Sequence, residues 1–462
     1  MREFELVIEE AFKVGLRVDS TNPVNSQALV ECKGFKCGNN GLEGYSSLLD
    51  PLPGTLDMHY IWPYPQMLFQ DLYRVLVVRD SVNMEDRVYI VASDYSAATQ
   101  IMAIDELTYG VGTLMELADF GEYAFMTNGV IMIYFDPTLS AWIKETSITT
   151  IPMMRTVCNF KGQAVGGCIL SDWYDCDETY YVWSRIGEMD FTPTRRNEEG
   201  FRRDPYGGEV FHVRKLGGEV IGYSSKGITR MVPVSSPATT FGFDEVDNIG
   251  LINRGALNGD ANIHCFVDVE YNLWKFEKGG VPKLLGYKEF IGQLTTADII
   301  VSYDSNEKDF YISDGVKTFL LSQYGLTEVP QHPSAIWYDR DSYILPEVED
   351  SYSPAVVIDR VDFGYNGQKT IFGIEVGKQD IDDLEVAIDW RLDSNVSFKR
   401  TGYKPFNSQS SAVNIISGNE FRVVLRGSEL LSNPKLDWLK ARYKMTDMRG
   451  IRGVYAPPPR GQ

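Results

Sequence analysis

Histidine is scarce, with four residues in 462, His59, His212, His264 and His332. They stand far apart, and none falls in an H-x-x-x-H frame that would bring two imidazoles to one metal. Each reads as a strand or loop residue. The six cysteines, Cys32, Cys37, Cys158, Cys168, Cys176 and Cys265, show no repeated spacing and no paired C-x-x-C frame, which excludes an ordinary structural zinc site. Most are expected to be free, buried thiols, with a Cys32 to Cys37 bridge across a loop as the alternative, and synthesis in a reducing cytoplasm is expected. Long apolar runs are also missing, none approaching the ~20 residues that span a bilayer. The N-terminus, MREFELVIEE, carries four carboxylates and lacks the basic, apolar, small-residue order of a signal peptide. A soluble chain with no membrane insertion is expected.

Catalytic signatures are equally absent. There is no G-x-S-x-G elbow and no G-x-x-x-x-G-K-[ST] phosphate loop, and the Gly110, Gly112 pair lacks the third glycine and following helix of a dinucleotide site. SDWYDCDETY, holding Asp172, Asp175, Asp177 and Glu178, is the richest acidic cluster and a candidate calcium loop. It lacks the glycine and terminal glutamate of an EF-hand, and in so acidic a chain the simpler reading is a solvated turn. Propellers house glycosidases with paired carboxylates, yet SYDSNEKDF at 302–310 lacks both the glycine and the tryptophan of an Asp-box. No catalytic residue, cofactor-binding residue or metal ligand is therefore assigned, and a non-enzymatic chain is expected.

Positive charge is in deficit, 44 Lys and Arg against 64 Asp and Glu, a net charge of −20. That sign does not grip phosphate over a broad surface. What the chain does have is 44% hydrophobic residues with 41 Gly, 26 Tyr and 23 Phe, which favour short strands and tight turns.

From about 85 to 330 one unit recurs, an apolar strand, a polar turn and a second strand. Arg87, Gly129, Thr179, Gly227, Asn272 and Gly315 mark successive copies, 42 to 50 residues apart. A period near 45 is that of a four-stranded propeller blade and argues against a TIM barrel or doubly wound sheet. The alternative is an irregular array of β-sandwiches. After about 362 the strands lengthen and alternate strictly. In LEVAIDWRLD, Leu384, Val386, Ile388, Trp390 and Leu392 face one side and Glu385, Asp389, Arg391 and Asp393 the other. Phe372, Ile374 and Val376, then Phe421, Val423 and Leu425, then Leu439, Ala441, Tyr443 and Met445 repeat the pattern. The expected fold is all-β, a β-propeller of six to eight blades with a C-terminal β-sandwich. The expected bounds are 1–60 for an N-terminal segment joining the propeller, 61–362 for the propeller, 363–455 for the sandwich and 456–462 for a flexible tail. The last strand is expected to turn Lys440, Arg442 and Lys444 to solvent.

YYVWSRIGEMDFTP (180–193), HVRKLGGEVIGYSSKGITRMVP (212–233) and IGLINRGALNGDANIHCFVDVEYNLWKFEKGG (249–280) resemble successive blades of the tail hub or nozzle propellers of short-tailed bacteriophages, sometimes called phage stabilisation proteins. VGLRVDSTNPVNSQALVECKGFKCGNNGLEGY (14–45) resembles their opening segment, with Asn40 in place of a glycine, and ISGNEFRVVLRG (416–427) and WLKARYKMTDMRGIRG (438–453) their terminal strands. The resemblance implies a virion structural protein made in the host cytoplasm. It would form a homo-oligomeric ring, a hexamer, below the portal and adaptor, with double-stranded DNA passing an acidic channel. A tail-tip propeller that contacts host surface glycan, and a glycoside hydrolase, are the alternatives.

Overall fold

A computed structural model of the chain describes residues 3–17, 28–45, 60–68, 73–80, 85–92, 98–104, 116–122, 124–129, 131–136, 138–139, 141–145, 151–168, 173–193, 199–234, 240–296, 299–333, 335–336, 343–344, 353–361, 363 and 367–446. His59, Gly110, Gly112, Asp172 and the tail 456–462 lie outside these residues. Two compact units form. One gathers 48–318 and 331–348; the other gathers 1–47, 319–330 and 349–462. Residues 1–47 fall in the second of these units, with the C-terminal segment.

The first unit is a β-propeller. Four-stranded antiparallel meanders follow one another. They comprise Tyr60–Leu68, Tyr73–Asp80, Glu85–Ala92 and Ala98–Ile104 in blade 1; Glu116–Asp119, Ala124–Thr127, Met132–Asp136 and Ala141–Glu145 in blade 2; and Met154–Phe160, Gln163–Cys168, Tyr180–Trp183 and Gly200–Arg203 in blade 3. Val210–Leu216, Glu219–Ser224, Ile228–Val234 and Thr240–Asp247 make blade 4, and Leu257–Gly259, Ile263–Val267, Leu273–Glu277 and Lys283–Gly286 make blade 5. The antiparallel pair Ile300–Asp304 and Asp309–Ser313 comes next, and the pair Ala335–Ile336 and Tyr343–Ile344 last. The first strands of blades 1 to 4 neighbour one another in order, His212 of blade 4 meets the segment that opens blade 5, the first strand of blade 5 lies beside Ile300–Asp304, and Ala335–Ile336 lies beside both Ile300–Asp304 and Tyr60–Leu68. The last short strand therefore closes a ring of seven first strands. Gly129, Gly227, Asn272 and Gly315 each sit between a second and a third strand, so the period near 45 is the blade repeat.

Each blade has a neighbour on both faces, so its strands need apolar residues on both. Val182 joins the core shared by blades 2 and 3, with Phe125, Met132, Met154 and Val157. Its flanking residues Tyr181 and Trp183 join the core of blades 3 and 4 with Val213, Val220 and Met231. Leu216, Ile221 and Tyr223 pack in turn on Leu257, Phe266 and Phe276 of blade 5. Burying each such side chain stabilises by about 1.5–3 kcal/mol.

The second unit is a β-sandwich. One sheet runs Lys36–Cys37, Leu42–Glu43, Glu429–Met445, Lys369–Asp382, Ser411–Ala412, with Phe4–Ile8 on Glu429–Met445 and Ile416–Gly418 on Lys369–Asp382. The other includes Leu326–Val329, Ala28–Lys33, Ala355–Val361, Glu420–Arg426, Glu385–Arg391 and Lys399–Arg400 in that order. Leu384, Val386, Ile388, Phe421, Val423, Leu425, Leu439, Ala441 and Tyr443 are buried as the alternation requires. Phe372 departs from it. A bulge between Ile371 and Gly373 shifts the pairing with Glu429–Met445, which puts Ile371 in the core and leaves Phe372 half-buried under the Lys444 ammonium. The solvent-side cations of the last strand are paired, Lys440 with Glu5 and Glu375, Arg442 with Glu375, and Lys444 with Glu3.

Candidate functional site at the propeller axis

Polar side chains gather where the first strands meet. Glu116 opens the first strand of blade 2. In blades 3 and 4 the first strands each carry a bulge, between Met154 and Thr156 and between Val210 and His212. A bulge adds one residue and re-aims its neighbours, and Thr156 and His212 both end fully buried. Arg254, before the first strand of blade 5, is buried too.

Glu116 is the centre of this cluster. Its Oε1 accepts from His212 Nδ1 at 2.6 Å and Arg214 at 3.2 Å, and its Oε2 from Thr156 Oγ1 at 2.5 Å and the Val157 amide at 3.2 Å. Thr156 Oγ1 in turn accepts from the Val213 amide at 2.9 Å. His212 Nε2 rests against the carbonyl oxygen of Arg254, whose guanidinium donates to the carbonyls of Asn128 and Arg155. Arg155 pairs with Glu209. One network thus ties blades 2, 3 and 4 to the segment that opens blade 5.

Burial alone would raise the Glu116 carboxyl, but Arg214, His212 and Arg254 outweigh it and hold it at about 2. An acid of that strength is ionised at neutral pH and does not serve as a proton donor to a leaving group. Burial lowers the His212 imidazole against the pull of Glu116. Its two ring nitrogens face two acceptors, so the protonated ring fills both and the neutral ring only one.

The other two described histidines, His264 and His332, lie elsewhere in the same unit. His264 Nδ1 lies 2.7 Å from the Tyr223 hydroxyl, and burial pushes the imidazole down to about 3. His332 Nδ1 lies 2.7 Å from Thr318 Oγ1. In the acidic loop, Asp177 Oδ1 accepts the amide and hydroxyl of Thr179 at 2.8 and 2.5 Å, which closes the turn, while Asp175 is exposed. Among the described residues no three His, Cys, Asp or Glu stand together as metal ligands. Cys32, Cys37, Cys158 and Cys265 are free thiols, and burial pushes Cys37 and Cys158 up to about 12. Among the described residues no helix is long and apolar enough to cross a membrane.

Sequence reading picked out His212 but not Glu116, Thr156 or Arg254. Glu116 and His212 lie 96 residues apart, and no local pattern distinguishes this glutamate from the other acidic residues. Only the closed ring brings them together.

The fold and its axis define the class, a β-propeller joined to a β-sandwich. No protein-family profile and no curated protein matches the chain. Among solved structures it is similar to the dihydro-heme d1 dehydrogenase NirN in complex with DHE, at 7% identity and a TM-score of 0.37, over 78% of this chain and 68% of that one. It is also similar to a glycoside hydrolase family 43 arabinoxylan arabinofuranohydrolase from Bacillus subtilis in complex with cellotetraose, at 11% identity and a TM-score of 0.26, over 86% and 98%. A third is the exo-beta-1,3-galactanase of Phanerochaete chrysosporium with galactose, at 9% identity and a TM-score of 0.27, over 84% and 96%. These neighbours are enzymes, and the expectation of a non-enzymatic chain is corrected on that finding. At such identities the likeness assigns this chain no activity.

Proposed function

We propose that this chain is a virion structural protein, a subunit of a homo-oligomeric ring of sixfold order around the DNA exit channel of a short-tailed bacteriophage tail, below the portal and adaptor rings. The observation that carries the reading is the buried polar network that joins blades 2, 3 and 4 to the start of blade 5. Glu116, Thr156, His212 and Arg254 are buried and engaged with one another across four blades, so the propeller serves as a rigid body used from its outside. The resemblance of residues 180–280 to tail propellers supports the same reading. So does the location of the charge, since the unit of 48–318 and 331–348 holds 41 Asp and Glu against 23 Lys and Arg. A lumen lined with carboxylates repels phosphate, and DNA passes it without adhering.

Negative-stain images of the purified full-length chain test the reading, with rings around a central hole as the expected result. A strictly monomeric mass at high protein concentration with the adaptor present would overturn it. Release of sugar from host surface polysaccharide, lost on Glu116→Gln, would assign the chain to the glycoside hydrolases instead.

A further inference from the structure

We infer that copies of this chain associate through one edge of the sandwich, the segment 412–416 with the adjoining loop 392–396. The inference rests on the ring reading and names its contact surface. Lys369–Asp382 pairs along this edge with two short strands, Ser411–Ala412 through Ile374 and Glu375, and Ile416–Gly418 through Lys369 to Ile371. Between them residues 413–415 make no ladder, and burial there is inverted. Val413 is 63% and Ile415 70% exposed, while Asn414 between them is 2% exposed. The Asn414 Nδ2 is buried with no hydrogen-bond partner. An isolated subunit gains nothing by placing two β-branched apolar side chains in water around a buried amide. A partner that covers the two side chains removes that cost.

The neighbouring loop has the same character. Leu392 is 52% and Val396 48% exposed. Asn419, at the end of Ile416–Gly418, holds this loop in place, with its amide 2.9 Å from the carbonyl of Arg391 and its Nδ2 2.5 Å from that of Leu392. Four exposed apolar side chains thus come from the two sheets, Val413 and Ile415 at the edge of one and Leu392 and Val396 on the loop that follows Glu385–Arg391 of the other, with Asn419 tying that loop to Ile416–Gly418.

Charge selects the occupant. The sandwich unit holds 21 Lys and Arg against 23 Asp and Glu, a net −2, whereas the propeller unit carries −18. Copies that approach through their propellers meet strong like-charge repulsion, and copies that meet through this edge do not. The ring reading makes the occupant a second copy of this chain, which meets this edge with a different surface because a ring closes by repeating a head-to-tail contact.

Sedimentation velocity of the full-length chain over a concentration series tests this. The double variant Val413→Asp, Ile415→Asp is expected to raise the dissociation constant of the assembly by at least about tenfold. The matched propeller variant Val281→Asp, Val316→Asp changes residues 73% and 78% exposed and is expected to shift it by less than about twofold. Leu392→Asp repeats the test at a second position, and melting followed by circular dichroism is expected to be unchanged in all three. Assembly of the sandwich variants at wild-type affinity would overturn the inference while leaving the ring reading intact, as would an equal shift in the propeller variant. A wild-type chain that stays monomeric fails the ring reading itself.

Discussion

Glu116 is a full negative charge held 1% exposed, and its stability rests on the donors around it. Removing one partner of such a buried pair leaves the other charge unpaired, which typically costs 3–5 kcal/mol. Glu116→Gln is therefore expected to destabilise the propeller by about 3 kcal/mol, read as a lower urea midpoint, while Glu270→Gln on an exposed turn leaves that midpoint in place. The pH response follows from His264 and Glu116, with His212, also lowered by burial, acting in the same direction as His264. An unfolded histidine titrates near about 6.5, and folded His264 does so at about 3. Below the first value the unfolded chain takes up a proton that the folded chain refuses, so stability is full above about 6.5 and falls as pH drops. Glu116 adds a second loss as pH falls from the usual carboxylate range towards about 2, where its ion pairs are protonated away. Urea midpoints measured from pH 8 to 4 are expected to decline, and His264→Gln is expected to flatten the upper part of that decline. An unchanged slope in the variant would refute the assignment to His264.

Between elements, the tightest constraint is the contact of blades 3 and 4. A Cβ added at Gly222, in the second strand of blade 4, would stand 2.3 Å from the Tyr181 ring of blade 3. Tyr181 is fully buried, its hydroxyl 3.1 Å from Asp204 Oδ1, and Asp204 also accepts from Thr229, Ser224 and the Gly208 amide. The ring cannot step aside without breaking that set. Gly222→Ala is expected to cost about 1–3 kcal/mol through overpacking, whereas Gly218→Ala, where a Cβ meets nothing within 4 Å, is expected to be near neutral in thermal melting. On the sandwich, ion pairs explain why Asp389 is buried although the alternation turns it outward. Arg400 holds both its oxygens, at 2.7 and 2.8 Å, as Arg422 holds those of Asp359, at 2.7 and 3.1 Å. Phe398 lies between the guanidinium groups of Arg391 and Arg422, 4.4 and 4.3 Å from its ring centre.

For the whole molecule, the uneven charge sets the response to salt. The propeller unit carries −18 of the total −20, so self-repulsion there opposes compaction and association. Raising ionic strength from about 0.02 M to about 0.2 M shortens the screening length from roughly 20 Å to below 10 Å. The melting temperature of the propeller and the affinity between copies are both expected to rise over that range. An assembly that weakens with salt would instead point to attraction between opposite charges at the contact.

Strand content, the blade period and the alternation of the sandwich were legible because each is a local pattern. A turn every 45 residues and apolar positions every second residue follow from how a strand repeats, whatever it later packs against. Leu384, Val386 and Ile388 were legible for that reason, and Phe372 was not, because a bulge is set by the partner strand. The axis was hidden for a stronger version of the same reason. Glu116, Thr156 and His212 come from strands of three blades and Arg254 from the turn before a fourth, and each looks ordinary in its own segment. What only the tertiary structure decided was their meeting, the closing of the ring by Ala335–Ile336, and the joining of residues 1–47 to the C-terminal unit. All three depend on contacts between residues distant in sequence, and no local pattern encodes such contacts.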